Sequence, residues 1–160
     1  MKSGIIYGVN GPIVYIKRRT EFLMGEMVYV GSQRLVGEVI TLTADMTTIQ
    51  VYEETSGLKP GDMVEGTDRA IFVTLAPGIL NNIFDGIERP LSQIAEQSGI
   101  YISRGISVNS LDTEKKWDVK VTIEEGQTVF PGTVIAEVQE TKAIVHKSMV
   151  PPNVEGVVVK

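Results

Sequence analysis

The sequence predicts a mainly β protein, with a small N-terminal six-stranded-type β-barrel over residues 1–70, a helical connector over 71–110 and a second small β unit over 111–160. Three observations lead there. Sixteen glycines and seven prolines punctuate the 160 residues, and the segments between them are short and rich in Val, Ile, Thr and Tyr, as strands bounded by turns are. No helical apolar period interrupts the first 70 residues, whereas two brief ones lie between 77 and 99. After Trp117 strict alternation returns.

Asn10-Gly11-Pro12 separates strand-like runs at 5–7 and 13–16. It is turn chemistry, because Gly accepts a positive φ and Pro donates nothing to a ladder. Further runs follow at 27–30, 35–42 and 48–52, divided by Gly31-Ser32-Gln33 and Ala44-Asp45-Met46, and Pro60-Gly61-Asp62 turns the chain into Met63-Val64. Such a set closes most simply into a barrel, since closure removes exposed edges. Pro77 can open and Gly86 can end a short helix whose face is Ile79, Leu80, Ile83 and Phe84. Pro90 and Gly99 bound a second, with Leu91, Ile94 and Ala95 on its face. Val119, Val121 and Ile123 then alternate with Lys120, Thr122 and Glu124, the pattern of a half-buried strand. Runs at 134–138, 143–146 and 157–159 complete the second unit around Glu125-Gly126-Gln127 and Pro131-Gly132.

Composition narrows the function. Hydrophobic residues at 42% and charged residues at 22% are ordinary for a domain that buries a core. The net charge of -5 is spread evenly: 7 basic and 9 acidic residues in 1–70, 2 and 3 in 71–110, 6 and 8 in 111–160. Without a basic concentration, nucleic acid and anionic lipid are poor partners. The absence of cysteine excludes disulfides, thiolate zinc sites and a cysteine nucleophile. Glycines at 4 and 8 break the only apolar run near the N-terminus, and no stretch approaches the roughly 18 apolar residues of a spanning helix. Direct membrane insertion is not expected.

The chemistry-bearing motifs are thin. Lys2-Ser3 and Lys147-Ser148 lack the preceding glycine of a phosphate loop, and no two glycines stand two positions apart as a dinucleotide fingerprint requires. His146 is the lone histidine; with no nucleophile or acid partner beside it in sequence, it reads as a strand-edge residue on a hairpin. Glu53-Glu54 and Glu124-Glu125 are adjacent carboxylates, which in a strand face opposite ways and read as solvated charge. Trp117 reads as an anchor for its own unit. The expectation is no catalytic, cofactor-binding or metal-ligating residue, and a binding or assembly module.

Several strings then carry a resemblance. Gly8-Val9-Asn10-Gly11-Pro12, Leu35-Val36-Gly37-Glu38-Val39-Ile40 and the long Thr48-Ile49-Gln50-Val51-Tyr52-Glu53-Glu54-Thr55-Ser56-Gly57-Leu58-Lys59-Pro60-Gly61-Asp62 resemble the N-terminal barrel of the catalytic A subunit (alpha chain) of V-type and archaeal-type rotary ATPases. Pro77-Gly78-Ile79-Leu80-Asn81-Asn82-Ile83-Phe84-Asp85-Gly86-Ile87-Glu88-Arg89-Pro90-Leu91 is similar to the segment leading from that barrel towards the nucleotide-binding domain. Glu114-Lys115-Lys116-Trp117, Val138-Gln139-Glu140-Thr141 and His146-Lys147-Ser148-Met149-Val150-Pro151-Pro152 resemble the insertion, the bulge, that distinguishes A subunits from B subunits. Two departures stand out: Lys17-Arg18-Arg19-Thr20-Glu21-Phe22 replaces a smaller, Gly- and Ala-rich stretch, and Ala76 stands where glycine is frequent.

The resemblance implies a fragment of a longer subunit. The intact subunit would be an ion-translocating ATPase or ATP synthase with ATP and Mg as cofactors, coupling to H+ or Na+ transport. This segment would lack the phosphate loop, be inactive alone and hold the ring together beside B subunits of the catalytic hexamer, with peripheral stalk subunits as further candidates. Its place would be cytoplasmic, peripheral to the membrane in the V1/A1 sector. The run Val157-Val158-Val159 before Lys160 has no cap or polar tail, in keeping with a truncation. The alternative is a biotinyl/lipoyl-like carrier or stand-alone β-barrel interaction module. Residues 119–159 resemble a biotinyl/lipoyl-like barrel sandwich through Gly126-Gln127-Thr128-Val129-Phe130-Pro131-Gly132, and Lys142 falls near the modified lysine of such carriers. The acidic or methionine neighbour of that lysine is missing.

Overall fold

The computed structural model describes residues 2–17, 21–99 and 101–159, so Arg18-Arg19-Thr20 of the first departure lies outside the described residues. The chain divides into two compact units, Met1–Val73 with Ser92–Val108 and Thr74–Leu91 with Asn109–Lys160. The stretch 71–110 is thus shared between them.

In the first unit β1 (Ser3–Asn10), β2 (Ile13–Lys17), β3 (Glu26–Val30), β4 (Leu35–Leu42), β5 (Met46–Val51) and β6 (Met63–Ala70) close into a barrel. The order around it is β1-β2-β5-β4-β3-β6, with every neighbour antiparallel. The period of two explains the core: Ile6, Val14, Ile16, Val28, Val30 and Val39 point inward while Ile5, Tyr7 and Ile40 point out. Each fully buried Val or Ile contributes about 1.5–3 kcal/mol. Register slips at Ile6/Gly8, Glu26/Val28 and Val39/Thr41 bend strands that must curl into so small a barrel. The six-stranded barrel read from the sequence is the observed one.

The helix α1 (Leu91–Ser98) is the second of the two expected helices. Ile94 is its buried residue, while Leu91 and Ala95 are exposed. Gly99, at φ +74, ends it with its N–H on the Ala95 carbonyl. The first expected helix does not form. Gly78 and Asn81 take positive φ of 105° and 66°, which no α-helix accommodates. The 85–90 stretch instead folds back so that Phe84 bridges Pro90 and Leu91 N–H reaches the Ile83 carbonyl.

The second unit holds β7 (Val119–Val121), β8 (Thr128–Val129), β9 (Val134–Gln139), β10 (Val145–Met149) and β11 (Gly156–Val157). They form a three-stranded sheet ordered β10-β9-β7 and a two-stranded sheet of β11 and β8. Val138 and Val150 are buried here. The expected half-burial of the first strand is corrected: β7 is only three residues long, and Val119 and Val121 are 56% and 66% exposed. These valines share a face with their partners Val138 and Ala136 of β9, but β7 is an edge strand, so Val119 and Val121 stay more than half exposed while Val138 on the central strand is buried.

Candidate functional site

The most buried charge among the described residues is Glu26, 1% exposed, at the start of β3. Its Oε2 accepts the Leu23 N–H at 2.7 Å and lies 3.7 Å from Lys2 Nζ, and its Oε1 accepts the Asp68 N–H at 2.9 Å. Lys2 also pairs with Asp68 at 2.6 Å. The Asp68 hydrogen bond, reinforced by the Glu26 charge, raises the Lys2 ammonium above its usual range. Gly66 makes room for this arrangement: a Cβ there would stand 2.5 Å from Glu26 Oε1 and 2.9 Å from the buried Phe22 ring. A buried carboxylate with backbone donors and a cation is a satisfied structural group. Sequence reasoning passed over it, although Glu26 shares the inward parity of Val28 and Val30.

Glu53 is likewise not the solvated charge expected of it. Its Oε1 accepts the Val36 N–H and its Oε2 the Gly105 N–H at 2.9 Å, so it joins β4 to the chain that follows α1. Arg104 donates to the Ser56 carbonyl beside it. Glu54 is exposed and accepts from both the hydroxyl and the N–H of Ser56, which lowers its carboxyl below the ordinary range. Outside the barrel, Tyr52 donates its hydroxyl to Glu38, and that bond, with burial adding to it, pushes the phenol up to about 12.

In the second unit, Asp85 accepts the N–H groups of Ile87 and Arg89 and pairs with Arg89 Nε at 2.8 Å. Burial pushes its carboxyl up, but these donors together outweigh it and hold the group below its ordinary value. Glu140, just after β9, accepts the N–H groups of Gly78 and Leu80. Trp117 is half-buried, with Lys115 over its ring at 4.1 Å. His146 sits on β10, an edge strand, opposite Val138. Glu124 and Glu125 are exposed near the 125–126 turn, and Lys142 is exposed in the turn between β9 and β10. These residues do not converge, and among the described residues no group of three His, Cys, Asp or Glu could hold a metal ion. No helix among them is long and apolar enough to cross a membrane.

The barrel's outer wall carries an apolar strip instead. Ile5 and Met63 are cross-strand partners on β1 and β6, 53% and 52% exposed, and Tyr7 follows Ile5 on the same face with Lys17 Nζ 4.9 Å from its ring. A closed barrel and a small β unit, each braced internally by carboxylate-to-backbone bonds, define a two-module β segment. Family models describe both modules: the ATP synthase alpha/beta family β-barrel domain matches residues 6–68, and the ATP synthase alpha/beta subunit barrel-sandwich domain matches 108–160. The chain belongs to the ATP synthase alpha/beta family. It is 51% identical to the V-type ATP synthase alpha chain of Halothermothrix orenii over 99% of its own length and 27% of that relative's. It is 49% identical to V-type ATP synthase alpha chain 2 of Clostridium tetani, over 98% and 26%. It is 47% identical to the V-type ATP synthase alpha chain of Thermoanaerobacter sp. (strain X514), over 99% and 27%. The chain therefore spans about a quarter of the length of these curated relatives, and corresponds to their N-terminal portion.

Proposed function

We propose that this chain is the non-catalytic N-terminal segment of the catalytic A subunit of a V/A-type rotary ATPase. The reading rests on 51% identity to a V-type alpha chain sustained over 99% of the chain. In this reading the barrel holds the ring of A and B subunits together and the second unit is the bulge. ATP and Mg bind to the rest of the intact subunit, which couples ATP hydrolysis or synthesis to H+ or Na+ movement from the cytoplasmic V1/A1 sector. The strip of Ile5, Tyr7 and Met63 supports a contact through side chains, because a closed barrel offers no free strand edge. Sedimentation of the chain mixed with purified B subunit tests the contact. A complex that is lost in the Ile5→Glu, Met63→Glu double variant is expected, and no association at tens of micromolar refutes it. Calorimetric titration with Mg-ATP tests the division of labour, and saturable micromolar binding by this chain contradicts it.

One observation favours a second reading, a lipoyl- or biotinyl-type carrier: Lys142 is exposed at a hairpin turn between β9 and β10. Intact-mass spectrometry after co-expression with biotin and lipoyl ligases separates the two. The assembly reading expects an unmodified Lys142, and a stoichiometric adduct establishes the carrier.

A further inference from the structure

We propose that Glu140 is a latch coupling the β9–β10 hairpin to the turn at 77–82, so that displacing either one displaces the other. A single oxygen, Oε1, accepts both the Gly78 N–H at 2.8 Å and the Leu80 N–H at 3.1 Å, across 62 and 60 residues of sequence. One carboxylate movement therefore releases two donors at once. On the hairpin side, the N–H groups of Glu140 and Thr141 both donate to the Ile144 carbonyl, which fixes where the carboxylate sits. On the turn side, Gly78 has φ +105, a conformation L side chains rarely adopt, and it lies against the indole: a Cβ there would touch Trp117 Cζ2 at 3.5 Å and Leu111 Cδ2 at 3.9 Å, ordinary contact distances. Asn82 closes the turn by donating its side-chain amide to the Gly78 carbonyl at 2.8 Å. The turn is thus seated against the indole and pinned by one accepting oxygen carried on another element. Coupling of this sort is reciprocal by thermodynamic necessity, which distinguishes a latch from a residue that merely stabilises its own loop. The inference stands independently of the rotary-ATPase reading.

Amide hydrogen exchange on the full chain tests it from both ends. Glu140→Ala is expected to speed exchange at Gly78 and Leu80 by at least about tenfold while the β9–β10 ladder keeps its protection, and Glu140→Gln, which retains the accepting oxygen, stays within about threefold of the parent. In the reverse direction, Gly78→Ala forces a side chain into positive φ against the indole. It is expected to speed exchange at Glu140 and Thr141, whose N–H groups donate to the Ile144 carbonyl and not to the turn. Trp117 is the single tryptophan of the chain, so its emission reports the unseating directly, shifting to longer wavelength in Glu140→Ala and Gly78→Ala but not in Glu140→Gln. Unchanged exchange at Gly78 and Leu80 in Glu140→Ala overturns the latch. So does loss of protection throughout the ladder in that variant, or a Gly78→Ala effect confined to residues 77–82.

Discussion

Replacing Glu26 by alanine is the sharpest test of how the barrel is held. The substitution leaves the Leu23 and Asp68 amides without acceptors and removes the inner partner of Lys2. An unsatisfied buried donor costs about 1–3 kcal/mol. Two such donors are left, while Lys2 is partly exposed and keeps its pair with Asp68, so the expected destabilisation is about 2–6 kcal/mol, a large share of the roughly 5–15 kcal/mol that a domain has. With a urea slope of about 2 kcal/mol per molar, the midpoint falls by about 2 M. Urea titration followed by the methyl NMR signals of Val28 and Val64, both fully buried in the barrel, reads that shift where it arises. Glu26→Gln keeps the shape and one acceptor, and should lose about 1–3 kcal/mol. An alanine variant within about 0.5 kcal/mol of the parent refutes the argument, because it means the two amides find other partners at no cost.

Three further outcomes are expected. Gly66→Ala should lose about 1–3 kcal/mol in the same urea assay, since its Cβ would stand 2.5 Å from Glu26 Oε1 and 2.9 Å from the Phe22 ring; a neutral result shows that the Glu26 and Phe22 side chains move freely. Tyr52 should titrate near 12 by ring carbon NMR, and Glu38→Gln should bring it down towards the ordinary value of about 10. Because the folded value is raised, the Tyr52 contribution is whole below about pH 10 and is lost as pH rises through about 12. Asp85 behaves oppositely: its value is lowered, so its contribution is present above the unfolded carboxyl value of about 4 and disappears as pH falls through the folded value below that. The protection factors of the Ile87 and Arg89 amides, taken relative to the intrinsic exchange rate at each pH, should fall on acidification through that range, and Asp85→Asn should abolish the acid-dependent step.

The strands of the barrel are legible because most carry period-two alternation between turn residues, and the face that buries Val14, Ile16, Ile49 and Val51 follows from that pattern, whereas the pairing of β2 with β5 does not. The false helix at 79–84 has a physical origin. Ile79, Leu80, Ile83 and Phe84 fit a helical face, but the turn they occupy is decided by Gly78, Asn81 and a carboxylate 60 residues beyond Leu80. Separation in sequence also hides Glu53, whose partners Val36 and Gly105 lie 17 and 52 residues away. Such long-range carboxylate-to-backbone ties leave no trace in local periodicity. Glu26 did leave one, because a charge in phase with Val28 and Val30 must face the core.

The way the barrel closes also sets its response to force. β1 and β6 are antiparallel neighbours, with Ser3 opposite Glu65, and the Lys2 carbonyl takes the Gly66 N–H. The chain therefore enters and leaves the barrel at the same end of one ladder. Tension between Lys2 and Ala70 acts at the mouth of that ladder and opens its bonds in succession, as a zip opens, whereas strands pulled from opposite ends would have to break them together. The ion pairs of Lys2 with Glu26 and Asp68 lie at that mouth, beside the pairing of Ala70 with Glu26. Glu26 is common to both, so a load applied there works on the bonds around this one carboxylate before it reaches the apolar side chains of the core.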